Sequence, residues 1–179
     1  MPKGFQTGLP LALLVSSLAL GTLAQGAPAK PRAPARGTAP AAAPAVPEPG
    51  WALARRNEAL SLSYGLAGSE PVIAFACGQR SGDIRISVFL DAGKAKIDES
   101  QSFSLTIGGV RSSFAGTVTP DPTSGGTMLA VTVASRNPMF TALAGPGGMR
   151  IEGKGFAKIV PLKAIGDKLR QLLASCKKF

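Results

Sequence analysis

From residue 51 onward, apolar and polar positions alternate in short runs separated by Gly, Pro, Asp and Ser. Trp51–Arg56 and Glu58–Tyr64 each carry such a run. In the second, Leu60, Leu62 and Tyr64 share one face and Ser61 and Ser63 take the other, the period-2 signature of a half-covered strand. Pro71–Cys77 is nearly all apolar and reads as a central strand. The five-residue segment Gly78-Gln-Arg-Ser-Gly82 has hairpin length, and Asp83–Leu90 alternates again with Ile84, Ile86 and Val88 on one side. Ser102–Ile107 and Val110–Thr119 flank Gly108-Gly109, a two-residue hairpin signal. Met128–Ala134 follows a turn at Pro120–Gly126. Met149–Glu152 and Phe156–Val160 form a last hairpin through Gly153-Lys154-Gly155.

The period changes twice. Over Ser135–Ala144, Asn137 can cap and Pro138 suits the first helical turn, with Met139, Phe140 and Leu143 as the apolar patch. Over Leu162–Lys177, residues Leu162, Ile165, Leu169, Leu172, Leu173 and Cys176 fall on one stripe, opposite Lys163, Asp167, Arg170 and Lys177. Lys163 and Asp167, four apart, would pair on such a helix. Strands at this spacing with turns between them predict a mainly β domain: an antiparallel β-sandwich or partly open barrel with one short helix and an amphipathic C-terminal helix.

The first fifty residues follow neither period. An uncharged apolar run from Leu9 to Ala24 is preceded by Lys3, and small residues allow cleavage after Ala24 or Gly26. A signal-peptide hydrophobic region spans ~7–15 residues and a membrane helix ~20, so residues 1–24 read as a signal peptide, with an uncleaved inner-membrane anchor over 9–24 as the alternative. Residues 25–50 hold seven Pro among Ala, Gly and a few charges. Pro removes backbone donors, and the segment has too little apolar surface to offset chain entropy. It reads as a disordered linker that would reach ~80 Å as extended polyproline-like chain. Residues 51–179 remain as a single domain of a size that supports its own core.

That domain carries 16 Lys/Arg against 9 Asp/Glu, within a chain of net charge +10. In an exported protein this favours anionic envelope neighbours or an acidic protein partner, and nucleic acid is not expected. The last 26 positions are the most basic, with one acid, Asp167. Lys154, Lys158, Lys163, Arg170 and Lys177 are the candidate anion-binding residues. The chain has no His, which removes the commonest general base, the commonest metal ligand and the usual partner of a nucleophilic Ser or Cys. Cys77 and Cys176 are its only cysteines, and in an oxidising compartment such a pair reads as a disulfide. Closing so long a loop constrains the unfolded chain by up to ~4–5 kcal/mol on the entropy model. The bridge would pin the last helix against the sheet that holds Pro71–Cys77.

Motifs for catalysis are weak. Gly148–Lys154 fits seven positions of a phosphate-loop pattern, but Gly155 stands where Ser or Thr should be, and the context is strand–turn–strand. Ser175-Cys-Lys-Lys178 spells an acyl-transfer signature at the wrong end of a helix. Asp98-Glu99, Asp83, Asp121, Glu152 and Asp167 are scattered, and Asp83 and Glu152 could meet only through the fold. Neither the acids nor the cysteines have usual metal-ligand spacing, and no cofactor is expected.

Trp51-Ala-Leu, Tyr64-Gly, the strand ending in Cys77, Asn137-Pro-Met-Phe-Thr-Ala-Leu-Ala144 and the terminal helix ending in Cys176 resemble a set of short secreted, periplasmic proteins of Gram-negative bacteria. The resemblance covers residues 51–176. It implies an architecture and carries no activity. The expectation is therefore a non-enzymatic envelope binding or scaffolding domain, periplasmic or secreted, for an anionic component or a protein partner. The competing reading is a small periplasmic hydrolase using carboxylates or Ser with Lys, which demands a cleft holding at least two titratable groups with displaced pKa values.

Overall fold

The computed structural model describes residues 47–56, 58–91, 93 and 95–177. The expected signal peptide and most of the expected linker lie outside the described residues.

Nine strands form one antiparallel sheet: β1 (Gly50–Arg56), β2 (Ala59–Gly65), β3 (Ile73–Gly78), β4 (Asp83–Leu90), β5 (Ser100–Ile107), β6 (Val110–Pro120), β7 (Thr127–Ala134), β8 (Gly148–Gly153) and β9 (Phe156–Pro161). Their order is β1-β2-β3-β4-β7-β6-β5-β8-β9. After β4 the chain skips two sheet positions, lays down β5 and returns through β6 and β7 to pair Ile86 with Val131. The helix α1 (Met139–Leu143) then carries it over to β8, beside β5. The sheet is unclosed, since β1 and β9 are its two edges. It nevertheless curls far enough for Trp51 Nε1 on β1 to donate to the Pro161 carbonyl oxygen at the end of β9, at 2.8 Å.

Alternation decides which face is covered. Leu62, Ile73, Phe75, Ile84, Ile86, Leu105, Leu129 and Ile151 all lie on the inner face and are fully buried. The outer face carries exposed or half-exposed Ser, Thr, Ala and Arg side chains such as Ser63, Ala74, Arg85 and Thr132. The tight turns follow the residues available. Gly108 and Gly109 both have positive φ, as a primed two-residue hairpin requires. Gly116 is needed for a different reason: a Cβ there would lie 2.6 Å from the Ala130 carbonyl oxygen of the neighbouring strand.

The helices cover the inner face. Met139, Phe140 and Leu143 of α1 are buried, and the Phe140 ring meets Phe75 edge-on with centroids 6.2 Å apart. Asn137, expected to cap, lies one residue before the N-cap Pro138, and its Oδ1 accepts from the Met139 N–H at 3.0 Å. Pro138 is the residue before the helix rather than its first position, so α1 begins one residue later than expected. The helix α2 (Gly166–Cys176) packs on β1, β2 and β3, the edge of the sheet farthest along the order from the strand that precedes it. It begins four residues later than the apolar stripe predicts. Ala164 has φ +64°, a left-handed conformation that stops a right-handed helix from propagating, so 162–165 is a turn. Leu162 and Ile165 are buried all the same, one from the turn and one from the helix cap, and Leu169, Leu172 and Cys176 are buried from the helix. Lys163 precedes the helix and is out of helical register with Asp167, which pairs with Arg170 instead. Among the described residues no helix is long and apolar enough to cross a membrane.

Candidate functional site

A cleft of about 600 Å³ opens where the C-terminal half of α2 meets the β1–β2 edge and the β3–β4 loop. Each wall has its own sequence logic. Along β1, Trp51, Leu53 and Arg55 alternate onto the inner face, so the position after two apolar residues is a cation. Register sets Arg55 opposite Leu60 on β2, and Leu60 opposite Cys77 on β3. A single cross-sheet row thus runs from an exposed guanidinium, over a buried leucine, to a sulfur.

That sulfur is joined to α2. Cys77 and Cys176 form the disulfide, with Cα atoms 5.8 Å apart at a sequence separation of 99. A second connection lies beside it. The Gly78–Gly82 loop turns back over the end of α2, so that the Arg80 N–H donates to the Ser175 carbonyl oxygen at 3.0 Å and the Gly82 N–H to the Cys176 carbonyl oxygen at 2.9 Å. Arg80 adopts φ +55° to do this. The last carbonyls of a helix have no partners within it and carry the negative end of its dipole. Here loop amides take two of them, so the negative end is not presented to the cleft bare. Lys177 leaves the helix in extended backbone immediately afterwards.

The result is a cleft lined by Arg55, Arg80 and Lys177, with Gln79, Gln171 and Ser175 as neutral polar groups and Leu53, Leu60 and Ala174 as the apolar wall. Among the described lining residues there is no carboxylate. Three cations in one concavity raise the local potential for anions.

The structure brings together little of the basic cluster expected from the sequence. Of the five candidates, Lys177 alone lines this cleft. Lys154, in the β8–β9 turn, faces Glu99 at 3.4 Å. Lys158 points along the inner side of β9, with its Nζ 3.3 Å from both Asp91 Oδ1 and the Phe89 carbonyl oxygen. Arg170 pairs with Asp167 along α2, and Lys163 is exposed in the turn before it. Arg55 and Arg80 are the residues the sequence reading missed. Arg55 was detectable as a cation in an inward alternation slot. Arg80 carried no signal beyond its place in a hairpin-length loop.

The expected disulfide is present, and the Gly148–Lys154 pattern is the β8–β9 hairpin, with Lys154-Gly155 as its turn. Asp83 and Glu152 stand on β4 and β8, with β7, β6 and β5 between those strands in the sheet order, and Glu152 pairs with Arg150 at 2.9 Å. Ser175 lines the cleft, while Lys178 lies outside the described residues.

Two carboxyls have pKa values displaced downward, both away from the cleft. For Asp121 the main cause is the Ser124 hydroxyl, helped by the Thr123 and Ser124 backbone N–H groups. For Glu99 it is the Lys96 backbone N–H, then the Gln101 amide. Both shifts favour the charged form, which is the behaviour of hydrogen-bonded turn residues rather than of a catalytic acid. Among the described residues no three His, Cys, Asp or Glu gather as a metal site. A scan against protein-family models returns no match, and searches of the curated proteins and of the solved structures return none.

Proposed function

We propose that the protein is a non-enzymatic binding domain of the cell envelope that holds an anionic envelope component in the cleft between α2, β1–β2 and the β3–β4 loop. The observation that carries this reading is the meeting of Arg55, Arg80 and Lys177 in one cleft, with no carboxylate among its described lining residues. The Cys77–Cys176 bridge supports a periplasmic or secreted location, because such bonds persist in oxidising compartments. The resemblance of residues 51–176 to periplasmic proteins of Gram-negative bacteria points the same way.

Retention of the full chain on immobilised envelope fractions tests this. Retention at low salt that falls as salt is raised, and falls further in the combined Arg55→Gln/Lys177→Gln variant, is the expected result. Retention indifferent to salt and to that variant removes the anion reading.

A further inference from the structure

The two edges of the sheet are finished differently. Natural edge strands are blunted with proline, with inward-pointing lysine or with a cover, because an open row of N–H and C=O groups recruits further strands. β9 has two such devices: Lys158 points inward, its Nζ 3.3 Å from Asp91 Oδ1, and Pro161 ends the strand without a donor. β1 has neither a Lys nor a Pro over Gly50–Arg56. Register shows which of its groups are open. The Gln79 N–H donates to the Glu58 carbonyl oxygen at 3.1 Å, so position 58 and the even positions after it exchange bonds with β3, and the odd positions of β2 exchange them with β1. The β1 partners of those odd positions are Gly50, Ala52, Ala54 and Arg56. The N–H and C=O groups of Trp51, Leu53 and Arg55 therefore lie on the free side.

Pro161 stands at the Trp51 end, where it accepts from the indole, so the open stretch is residues 53–55. Among the described residues no backbone group bonds to Leu53 or Arg55 on that side. Both residues line the cleft, whose far wall is the flank of α2 with Gln171 and Ala174. A second hollow, lined by Asp167, Arg170, Gln171 and Ala174, continues it along the helix. An edge strand on one side and a helix on the other is the arrangement in which an extended peptide adds as an extra strand. The 11 residues of α2 run about 16 Å, room for about five residues of strand at ~3.3 Å each.

We infer that β1 and α2 take an extended segment of a partner protein as an additional strand, with an apolar residue and an acidic residue two positions apart. Side chains directly opposite on neighbouring strands share a face. The partner residue opposite Leu53 also meets Leu60 and Ala174, an apolar wall. The one opposite Arg55 meets a guanidinium, whose fork a carboxylate matches. Two positions separate them, as two separate Leu53 from Arg55 on the same face. The inference rests on the cleft being an anion site, and it names the anion as a carboxylate carried on a strand. A second copy of the chain fits less well. Pairing β1 with itself about Leu53 would set Trp51 opposite Arg55 of the copy, and Pro161 stands beside Trp51.

The test uses the full, oxidised chain and peptides capped at both ends. Thr-Leu-Thr-Glu-Thr and its reverse, Thr-Glu-Thr-Leu-Thr, cover the two strand directions in calorimetric titrations, and at least one should bind. Replacing Glu by Gln in that peptide, or Arg55→Gln in the protein, should weaken binding by about tenfold, the loss expected of one charge-assisted contact. Lys163→Gln, outside the cleft, should leave it unchanged. N-methylation of alternate peptide amides separates strand addition from charge attraction. Methylating the set that faces β1 should abolish binding, and methylating the other set should spare it. Sedimentation of the chain alone should give a monomer. Leu53→Pro removes a donor that β2 does not use, so a dimer that this variant dissociates would place a second copy on the edge and overturn the inference. Equal binding of the Gln peptide, binding that Arg55→Gln leaves intact, a like response to both methylated sets, or no binding up to about 1 mM peptide overturns it as well. If the peptides fail while salt-sensitive envelope retention persists, the strand assignment falls alone. If retention is absent too, the anion reading falls with it.

Discussion

Trp51 and Pro161 join the first strand of the sheet to the last. The indole Nε1 donates to the Pro161 carbonyl oxygen at 2.8 Å across 110 positions of sequence, and the ring stands 5.3 Å from Tyr64 and 6.2 Å from Phe75, centroid to centroid. One side chain therefore spans a seam that strand pairing leaves open. Trp51→Phe keeps an aromatic ring and removes the donor, leaving a half-buried carbonyl without its partner. We expect a loss of about 1–2 kcal/mol in urea unfolding followed by circular dichroism. Trp51→Ala also empties the ring site and should lose about 3–5 kcal/mol. An unchanged midpoint for Trp51→Phe would show that the seam needs no such bond.

The disulfide and the cleft depend on each other. Cys176 is the last helical residue of α2, and Cys77 ends the cross-sheet row that begins at Arg55. Replacing both cysteines by Ala should lower stability by about 2–4 kcal/mol. It should also loosen the end of α2 that carries Ser175 and Lys177, and so weaken anion binding by more than either charge variant does. Hydrogen exchange at the amides of Ala174–Cys176, compared between oxidised protein and the double variant, reads the loosening directly. Equal protection in the two proteins would sink this dependence.

Arg80 serves two purposes that one substitution separates. Its amide holds the end of α2 and its side chain lines the cleft, while its φ of +55° disfavours any residue but Gly. Arg80→Gly keeps the amide, relieves the backbone and removes the cation. Thermal unfolding should stay within about 1 kcal/mol of wild type or rise, while anion binding drops. A variant that unfolds early instead would show that the Arg80 side chain supports the loop itself.

Asp121 gives the fold an acid-sensitive turn. Its carboxylate accepts from the Thr123 and Ser124 N–H groups and from the Ser124 hydroxyl, and its pKa lies below the ordinary 3.8. A carboxyl with a folded pKa below its unfolded value contributes stability that is fully present above the unfolded pKa and is lost as pH falls through the folded pKa. Asp121→Asn should therefore be less stable than wild type at pH 7, by about 1–2 kcal/mol. The gap should close as the pH is lowered below 3.8. A gap that persists unchanged at pH 2 would assign the loss to shape rather than charge.

Most of the sheet was legible because alternation is a direct record of which face is covered. Leu60, Leu62 and Tyr64 declare their side in the sequence, and the structure buries all three. Helix limits were less legible, since the apolar stripe from Leu162 onward does not register that Ala164 takes a left-handed backbone. The order in which strands neighbour one another was not legible: nothing local to β4 says that its partner is β7. The cleft suffered most from this. Its charge is assembled from β1, a hairpin loop and the end of α2, so a count of Lys and Arg by sequence position pointed to the crowded C-terminal stretch, where Lys154, Lys158 and Arg170 face acids.

The same assembly has a temporal side. The cleft draws on Leu53, Arg55 and Leu60, on Gln79 and Arg80, and on the end of α2 with Lys177, which belong to the opening, the middle and the final portion of the domain. Contacts of such sequence separation form late, after the entropy of closing large loops has been met. A chain interrupted before Gln171 holds every strand and lacks the cleft. The cleft thus exists only in a molecule whose last helix has been made and whose Cys77–Cys176 bridge has joined it to the sheet.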